Sequence, residues 1–267
     1  MTIGYFLNRL GRFIQSLSVM VMRPDDLVEY SRQTYSKSKV IESWSRKDLV
    51  DPGLIDDEKS FLENIPLKTG PLLLLGVGGG REAIHLAKRG FRVTGVDFVP
   101  DMLQKAKENA FKHGVKIEGL VQDIYKLNVP SNSYDIVWLC SAMYSCVPTR
   151  KRRVEMLKRI RNALKPGGYF LCQFHFDSKA GFSPKVEFFL KIFAYISLGN
   201  LWYEKGDMLW GNVEFIHAFP SEDMLRSEFE EGGFQVIKID VSEGSVRGGA
   251  ILRSTSTSSS GIKGVKK

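Results

Sequence analysis

The chain has 267 residues, 43% of them hydrophobic and 25% charged, with a formal net charge of +8. That length buries a full core, so one large domain with additions is expected rather than two equal ones. Its cysteines, Cys140, Cys146 and Cys172, are odd in number and show no paired CxxC spacing, which argues against a disulfide framework or a zinc site and for reduced thiols in a cytoplasmic protein.

At the N-terminus Phe6, Leu10, Phe13 and Leu17 recur at helical spacing, with Asn8, Arg9, Arg12 and Gln15 mostly elsewhere on the wheel. Such a stripe suits either the chain's own core or a membrane surface, with Arg9 and Arg12 facing anionic headgroups. Packing is the expectation and peripheral membrane contact the alternative. Gln15, Ser16 and Ser18 interrupt the apolar run, so no signal peptide is expected. Polar and aromatic sequence with Tyr30, Tyr35 and Trp44 continues to Pro66. Residues 1–66 are read as a helical cap that closes over a ligand site, where such aromatic side chains exclude water.

From Pro71 the pattern becomes regular. Leu72–Leu75 is a continuous apolar strand, as expected where both faces of a sheet are covered. Helix over Arg81–Arg89 closes at Gly90, and a second strand, Phe91–Val96, ends at Asp97. A helix over Asp101–His113, strands over Val115–Val121 and Tyr134–Leu139, a helix over Arg150–Leu164 and a fifth strand after KPGG follow. This alternation predicts an α/β fold: a doubly wound, mostly parallel, Rossmann-like sheet. The rhythm breaks after Asp177, and residues 178–218 are read as an inserted lid over the strand ends. A helix near Ser221–Glu231 and β-rich stretches at Phe234–Val241 and Gly249–Arg253 complete a domain over residues 67–254. The tail, residues 255–267, is serine-rich and basic and reads as disordered.

The junction LLLLGVGGGREA spaces glycines as G-x-G-x-G at Gly76, Gly78 and Gly80. The dinucleotide fingerprint G-x-G-x-x-G fails, because Arg81 stands at its third glycine, and no Gly-Lys-Ser/Thr follows as a P-loop requires. Asp97, at the tip of the second strand, is placed to accept hydrogen bonds from two ribose hydroxyls, as it would also be in an NAD enzyme. Asp123, in VQDI, lies at the same sheet edge, where a carboxylate accepts from an adenine amino group; alone it reads as an ordinary turn acid.

LLLLGVGGGREAIHLAKRGFRVTGVDF, VQDI, SYDIVWLCSAMY and LKPGGYFL, in that order, resemble the class I S-adenosylmethionine-dependent methyltransferases over about Pro71–Phe176. The resemblance implies S-adenosyl-L-methionine as cofactor, with Gly76, Gly78 and Gly80 beneath its methionine portion. It implies Asp97 on the ribose, Phe98 beside the adenine, Asp123 and Ile124 at the adenine edge, and Cys140 near the methionine end. The family often carries an acid two residues before the first glycine; here that residue is Leu74.

Methyl transfer from a sulfonium needs alignment and dehydration more than a dedicated base, and no catalytic residue is assigned. Tyr144, His175, Glu214 and His217 are the nearest candidates for a base. Phe188, Phe189, Ile192, Phe193, Tyr195, Ile196, Trp202 and Tyr203 offer an apolar lining for a lid, or simply bury it. The expected acceptor is therefore a small, hydrophobic or aromatic molecule. A non-catalytic cofactor- or partner-binding protein is the alternative, with Leu74 as its support. An RNA methyltransferase rests only on the basic run TRKRRVEMLKR, more often a solvated helix face, so no nucleic acid is expected.

Overall fold

A computed structural model describes residues 3–211, 213–241 and 247–255. Five helices precede the sheet: α1 (Ile3–Val21), α2 (Pro24–Tyr35), α3 (Ser38–Trp44), α4 (Lys47–Val50) and α5 (Asp56–Glu63). The alternating part follows as β1 (Gly70–Leu75), α6 (Arg81–Lys88), β2 (Phe91–Asp97), α7 (Pro100–Lys112), β3 (Glu118–Val121), β4 (Tyr134–Leu139), α8 (Arg150–Ala163) and β5 (Leu164–His175). The insertion contributes α9 (Pro184–Ile196) and the hairpin β6 (Asp207–Trp210) and β7 (Glu214–His217). The chain then returns through α10 (Glu222–Glu231), β8 (Phe234–Val241) and β9 (Arg247–Ser254).

The sheet runs β3-β2-β1-β4-β5-β9-β8. Its first five strands are parallel, and β9 pairs antiparallel to both β5 and β8. The order reverses at β1, so β1 and β4 part at their C-terminal ends and open the crevice where ligands of such sheets bind. The four leucines of β1 are fully buried for a simple reason. Leu73 and Leu75 point into a core with Met156, Leu157 and Phe229, while Leu72 and Leu74 point into a second with Ala83, Ala106 and Trp138. Each sheet face has its own helical layer, and alternation of side chains sends successive leucines to opposite cores.

A smaller third core joins the N-terminus to the insertion. Val19 and Met20 of α1 and Leu27 of α2 pack with Leu190 and Ala194 of α9, Leu209 of β6 and Phe215 of β7. The expected packing of α1 holds only at this C-terminal end. Phe6 is 56% exposed, and Leu10 and Phe13 are also exposed. The insertion departs from expectation in the same way: Phe188, Phe189, Ile192, Phe193, Tyr195, Ile196 and Trp202 face outward, and only Tyr203 of the predicted lid lining is buried.

Strand β3 is shorter than the Val115–Val121 predicted. The N–H of Val115 donates to the carbonyl of Ala110 and that of Gly114 to Phe111, so this part of the chain closes α7 instead of pairing. The basic run is not a uniformly solvated face either. Arg153 is fully buried against Glu228 and Glu204, Arg150 pairs with Glu231, and Arg152 pairs with Asp25. The predicted tail beyond Thr255 lies outside the described residues.

Candidate active site

A cavity of about 620 Å³ opens at the C-terminal ends of β1, β2 and β4. Its floor is the glycine loop. Gly76, Gly78 and Gly80 all adopt positive φ, at 79°, 52° and 98°, a region that a side chain makes costly. Their surroundings differ. A Cβ on Gly76 would strike the sulfur of Met143, and one on Gly79 would strike the carbonyl oxygen of Trp44. A Cβ on Gly78 would meet nothing within 4 Å. The loop is therefore clamped by β4's turn and by α3, and left open at its centre, toward the cavity.

Asp97 stands at that open centre. The Gly78 N–H donates to its Oδ2 at 3.1 Å and the Val99 N–H to its Oδ1 at 3.0 Å. Burial pushes the carboxyl upward from its usual range, and the backbone donors, including Phe98, oppose that shift. The arrangement fits a cofactor that presents hydroxyls beside a glycine floor: the two Asp97 oxygens, with their backbone donors, still have lone-pair capacity to spare.

Phe98, Met102 and Ile124 line the same end of the cavity. Asp123 lies there too, but its Oδ1 accepts from Arg32 of α2 at 2.7 Å, and the Arg32 guanidinium also sits over the Phe98 ring, 5.2 Å from its centroid. The predicted adenine edge is thus roofed by the N-terminal helices. Tyr35 and Trp44 line the cavity, whereas Tyr30 packs with the third core. Cys140 is buried in the core behind the wall; Ser141 and Met143, which follow it, reach the cavity. Gly80 likewise lies just outside the lining and packs against Ala106. The turn after β4 is strained, with Ser141 and Ala142 both at positive φ, and this carries Met143 over Gly76.

Leu74 is fully buried in the core on its side of the sheet. A carboxylate nevertheless reaches the loop from the next helix. Glu82, in the first turn of α6, lines the cavity and pairs with Arg81, which is itself gripped bidentately by the buried Glu58 of α5 at 2.7 Å for each contact. Burial pushes the Glu82 carboxyl up to about 7, against the pull of Arg81. In the sequence Glu82 looks like an ordinary acid at a helix start, and only its burial sets it apart.

The other end of the cavity holds Cys146, Val147, His175, Trp210, Glu214 and Arg247. The imidazole of His175 stacks at a tilt on Trp210, with centroids 5.5 Å apart. The Tyr35 hydroxyl donates to Glu214 Oε2 at 3.0 Å and the Cys146 thiol to the same atom at 3.5 Å. Burial raises the Glu214 carboxyl above its usual range. Of the four base candidates in the sequence, His175 and Glu214 reach the cavity. Tyr144 is buried and donates to Glu228 at 2.7 Å, and His217 is buried on Asp207 at 2.7 Å; both belong to a structural network around Arg153. Arg32, Glu82, Trp210 and Arg247 are cavity or roof residues that sequence reasoning missed, since no motif marks them.

Residues 72–168 match the family model for a methyltransferase domain. Over 134 residues the chain is 31% identical to an uncharacterized methyltransferase of Synechocystis sp., covering 49% of this chain and 60% of that protein, so it spans about three-fifths of that relative's length. Over 185 residues it is 29% identical to a ubiquinone biosynthesis O-methyltransferase of Coxiella burnetii, covering 64% of this chain and 76% of the relative. The crystal structure of an S-adenosylmethionine-dependent methyltransferase from Methanosarcina mazei matches with a TM-score of 0.56 at 22% identity, over 76% of this chain and 99% of that one, a likeness of fold. The reversing sheet order and the open glycine floor at its switch point are those of the class I methyltransferase fold, and within it residues 72–168 match the methyltransferase-domain family.

Proposed function

We propose that this chain methylates a hydroxyl oxygen on a small, largely apolar, ring-bearing molecule. The observation that carries the reading is one continuous cavity of about 620 Å³, with Asp97 and the glycine floor at one end and His175, Trp210 and Glu214 at the other. The O-methyltransferase activity in the name of the Coxiella relative agrees with it.

The proposed cofactor set is Gly76, Gly78, Gly80, Asp97, Phe98, Asp123, Ile124 and Cys140, with Glu82 serving where Leu74 stands. When bound, S-adenosylmethionine supplies a methyl group already activated by the positive charge on its sulfur. The glycine floor admits close approach of its backbone N–H groups, and Asp97 accepts from the ribose hydroxyls. Gly80 and Cys140 act from behind, by fixing the loop's path and the turn that carries Ser141. Between the two ends, Tyr35 and Met143, with Trp210 beyond them, hold the apolar ring of the acceptor and exclude water. Glu214, held by Tyr35 and Cys146, orients the acceptor hydroxyl. His175 takes its proton as the oxygen becomes the nucleophile and attacks the methyl carbon, and the sulfur leaves with the bonding pair. Helices over 1–66 and the insertion at 178–218 form the proposed cover of this chamber.

The test is methyl transfer from radiolabelled S-adenosylmethionine to a panel of phenols and catechols, with products identified by mass spectrometry. The expected result is an O-methyl product, with kcat down about 10²-fold or more in His175→Ala and cofactor affinity unchanged. Tight cofactor binding with no transfer to any panel member would favour the non-catalytic reading instead.

A further inference from the structure

We propose that the face built by α1 and α9 docks on an anionic lipid bilayer. In α1 the exposed residues Ile3, Leu7, Leu10 and Ile14 fall at helical spacing and form an outward stripe. In α9, Phe189 is 69% and Ile196 is 74% exposed, with Phe188, Ile192 and Phe193 also outward. These belong to one unit. Val19 and Met20 pack on Leu190 and Ala194, the Asn200 N–H donates to the Met20 carbonyl at 2.7 Å, and Arg23 Nε donates to that of Leu198 at 3.4 Å. Folding left this apolar surface outside although the same helices bury Val19, Met20, Leu190 and Ala194 in the third core. Scattered surface leucines need no explanation, but this many exposed apolar side chains on two helices packed as one unit mark an interaction site.

Charge selects the occupant. Residues 1–24 contain Arg9, Arg12 and Arg23 and no acid. The stretch 184–205 carries Lys185, Lys191 and Lys205 against Glu187 and Glu204. Both acids are engaged within the fold: Glu187 accepts from the Phe182 N–H at 3.2 Å, and Glu204 pairs with Arg153 at 2.7 Å. Apolar side chains on segments where cations outnumber acids match the headgroup and acyl boundary of an anionic leaflet. Tyr195 and Trp202, both exposed, are the residue types that settle at that boundary. Among the described residues no helix is long and apolar enough to cross a membrane, so the face lies on the surface. The third core also holds the β6–β7 hairpin, whose Trp210 and Glu214 line the cavity. The docked face therefore backs directly onto the chamber, which suits an acceptor drawn from the lipid phase. That last link rests on the proposed acceptor class; the docking does not.

The full chain is sedimented with vesicles of phosphatidylcholine mixed with phosphatidylglycerol, and with phosphatidylcholine alone. Binding to the anionic vesicles, weakened by salt, is the expected result. The double variants Phe6→Ser/Leu10→Ser and Phe188→Ser/Phe189→Ser should each lower partitioning about tenfold or more, with melting temperature and S-adenosylmethionine binding unchanged. No partitioning of the native chain, or equal partitioning of the variants, overturns the proposal. So does a solution dimer that the same variants dissociate without any vesicle binding, which would make the face a contact between copies. Cofactor binding and transfer to a soluble acceptor are read separately, so failure of the methyltransferase assignment is distinguishable from failure of docking.

Discussion

The Arg32 guanidinium lies 2.7 Å from the Asp123 carboxylate, across 91 residues of sequence, and joins the N-terminal helices to the end of β3. The contact uses one oxygen of Asp123 and leaves the other able to accept from a ligand. Asp123 therefore serves two partners in the proposed site. Asp123→Ala should weaken S-adenosylmethionine binding by about 1–2 kcal/mol, the scale of a lost hydrogen bond to a charged acceptor. Arg32→Met should cost only about 0.5 kcal/mol of fold stability, since the pair is partly solvated. Calorimetry and thermal melts separate the two, and equal cofactor affinity in Asp123→Ala would remove that residue from the site.

Asp97 carries more. Its loss removes the proposed ribose contacts and also the hydrogen bonds that hold Gly78 and Val99. Asp97→Ala should lower S-adenosylmethionine affinity by roughly 1–3 kcal/mol, and the native chain should ignore NAD. Calorimetric titration with both cofactors checks this.

Neighbouring glycines should fail in different ways. Gly79→Ala drives a methyl group into the Trp44 carbonyl, so it should lower the melting temperature and loosen α3 from the loop. Gly78→Ala meets open space and should cost only about 1 kcal/mol of backbone strain, yet abolish measurable cofactor binding. A Gly78→Ala protein that still binds S-adenosylmethionine normally contradicts the assignment of the open floor.

The pH dependence of cofactor binding follows from Glu82, whose buried carboxyl is pushed up to about 7. For the fold alone, a raised acid adds stability below its unfolded value, lost as pH rises through about 7. Cofactor binding runs the other way, because a cationic ligand favours the carboxylate. Affinity should rise about tenfold from pH 6 to pH 8 with release of a proton, and Glu82→Gln should flatten that profile. Titrations in buffers of different ionisation enthalpy count the proton directly.

Truncation distinguishes the two halves of α1. Ile3, Phe6, Leu7, Leu10, Phe13 and Ile14 are exposed, so removing residues 1–14 should leave the melting temperature unchanged. Removing residues 1–22 also deletes Val19 and Met20, both fully buried against α9, and should cost at least about 2–4 kcal/mol. Differential scanning calorimetry of the two shortened chains reads the difference.

Local sequence determined the sheet and its loop. Four consecutive leucines demand a strand covered on both faces, G-x-G-x-G forces the backbone into conformations only glycine takes cheaply, and an acid ends the next strand. These signals lie within a few residues of one another, where chain geometry leaves little choice. Tertiary structure decided what depended on distant partners. Tyr144, His175, Glu214 and His217 look alike as candidate bases in the sequence; packing sent Tyr144 and His217 into the Arg153 network and left His175 and Glu214 in the cavity. Leu74 offers no acid, and Glu82, the carboxyl proposed in its place, becomes distinctive only when Glu58, Arg81 and the loop bury it. The aromatic insertion reads as a lid lining, yet its helix turns outward, because a period of 3.6 residues shows that a face exists but not which neighbour covers it.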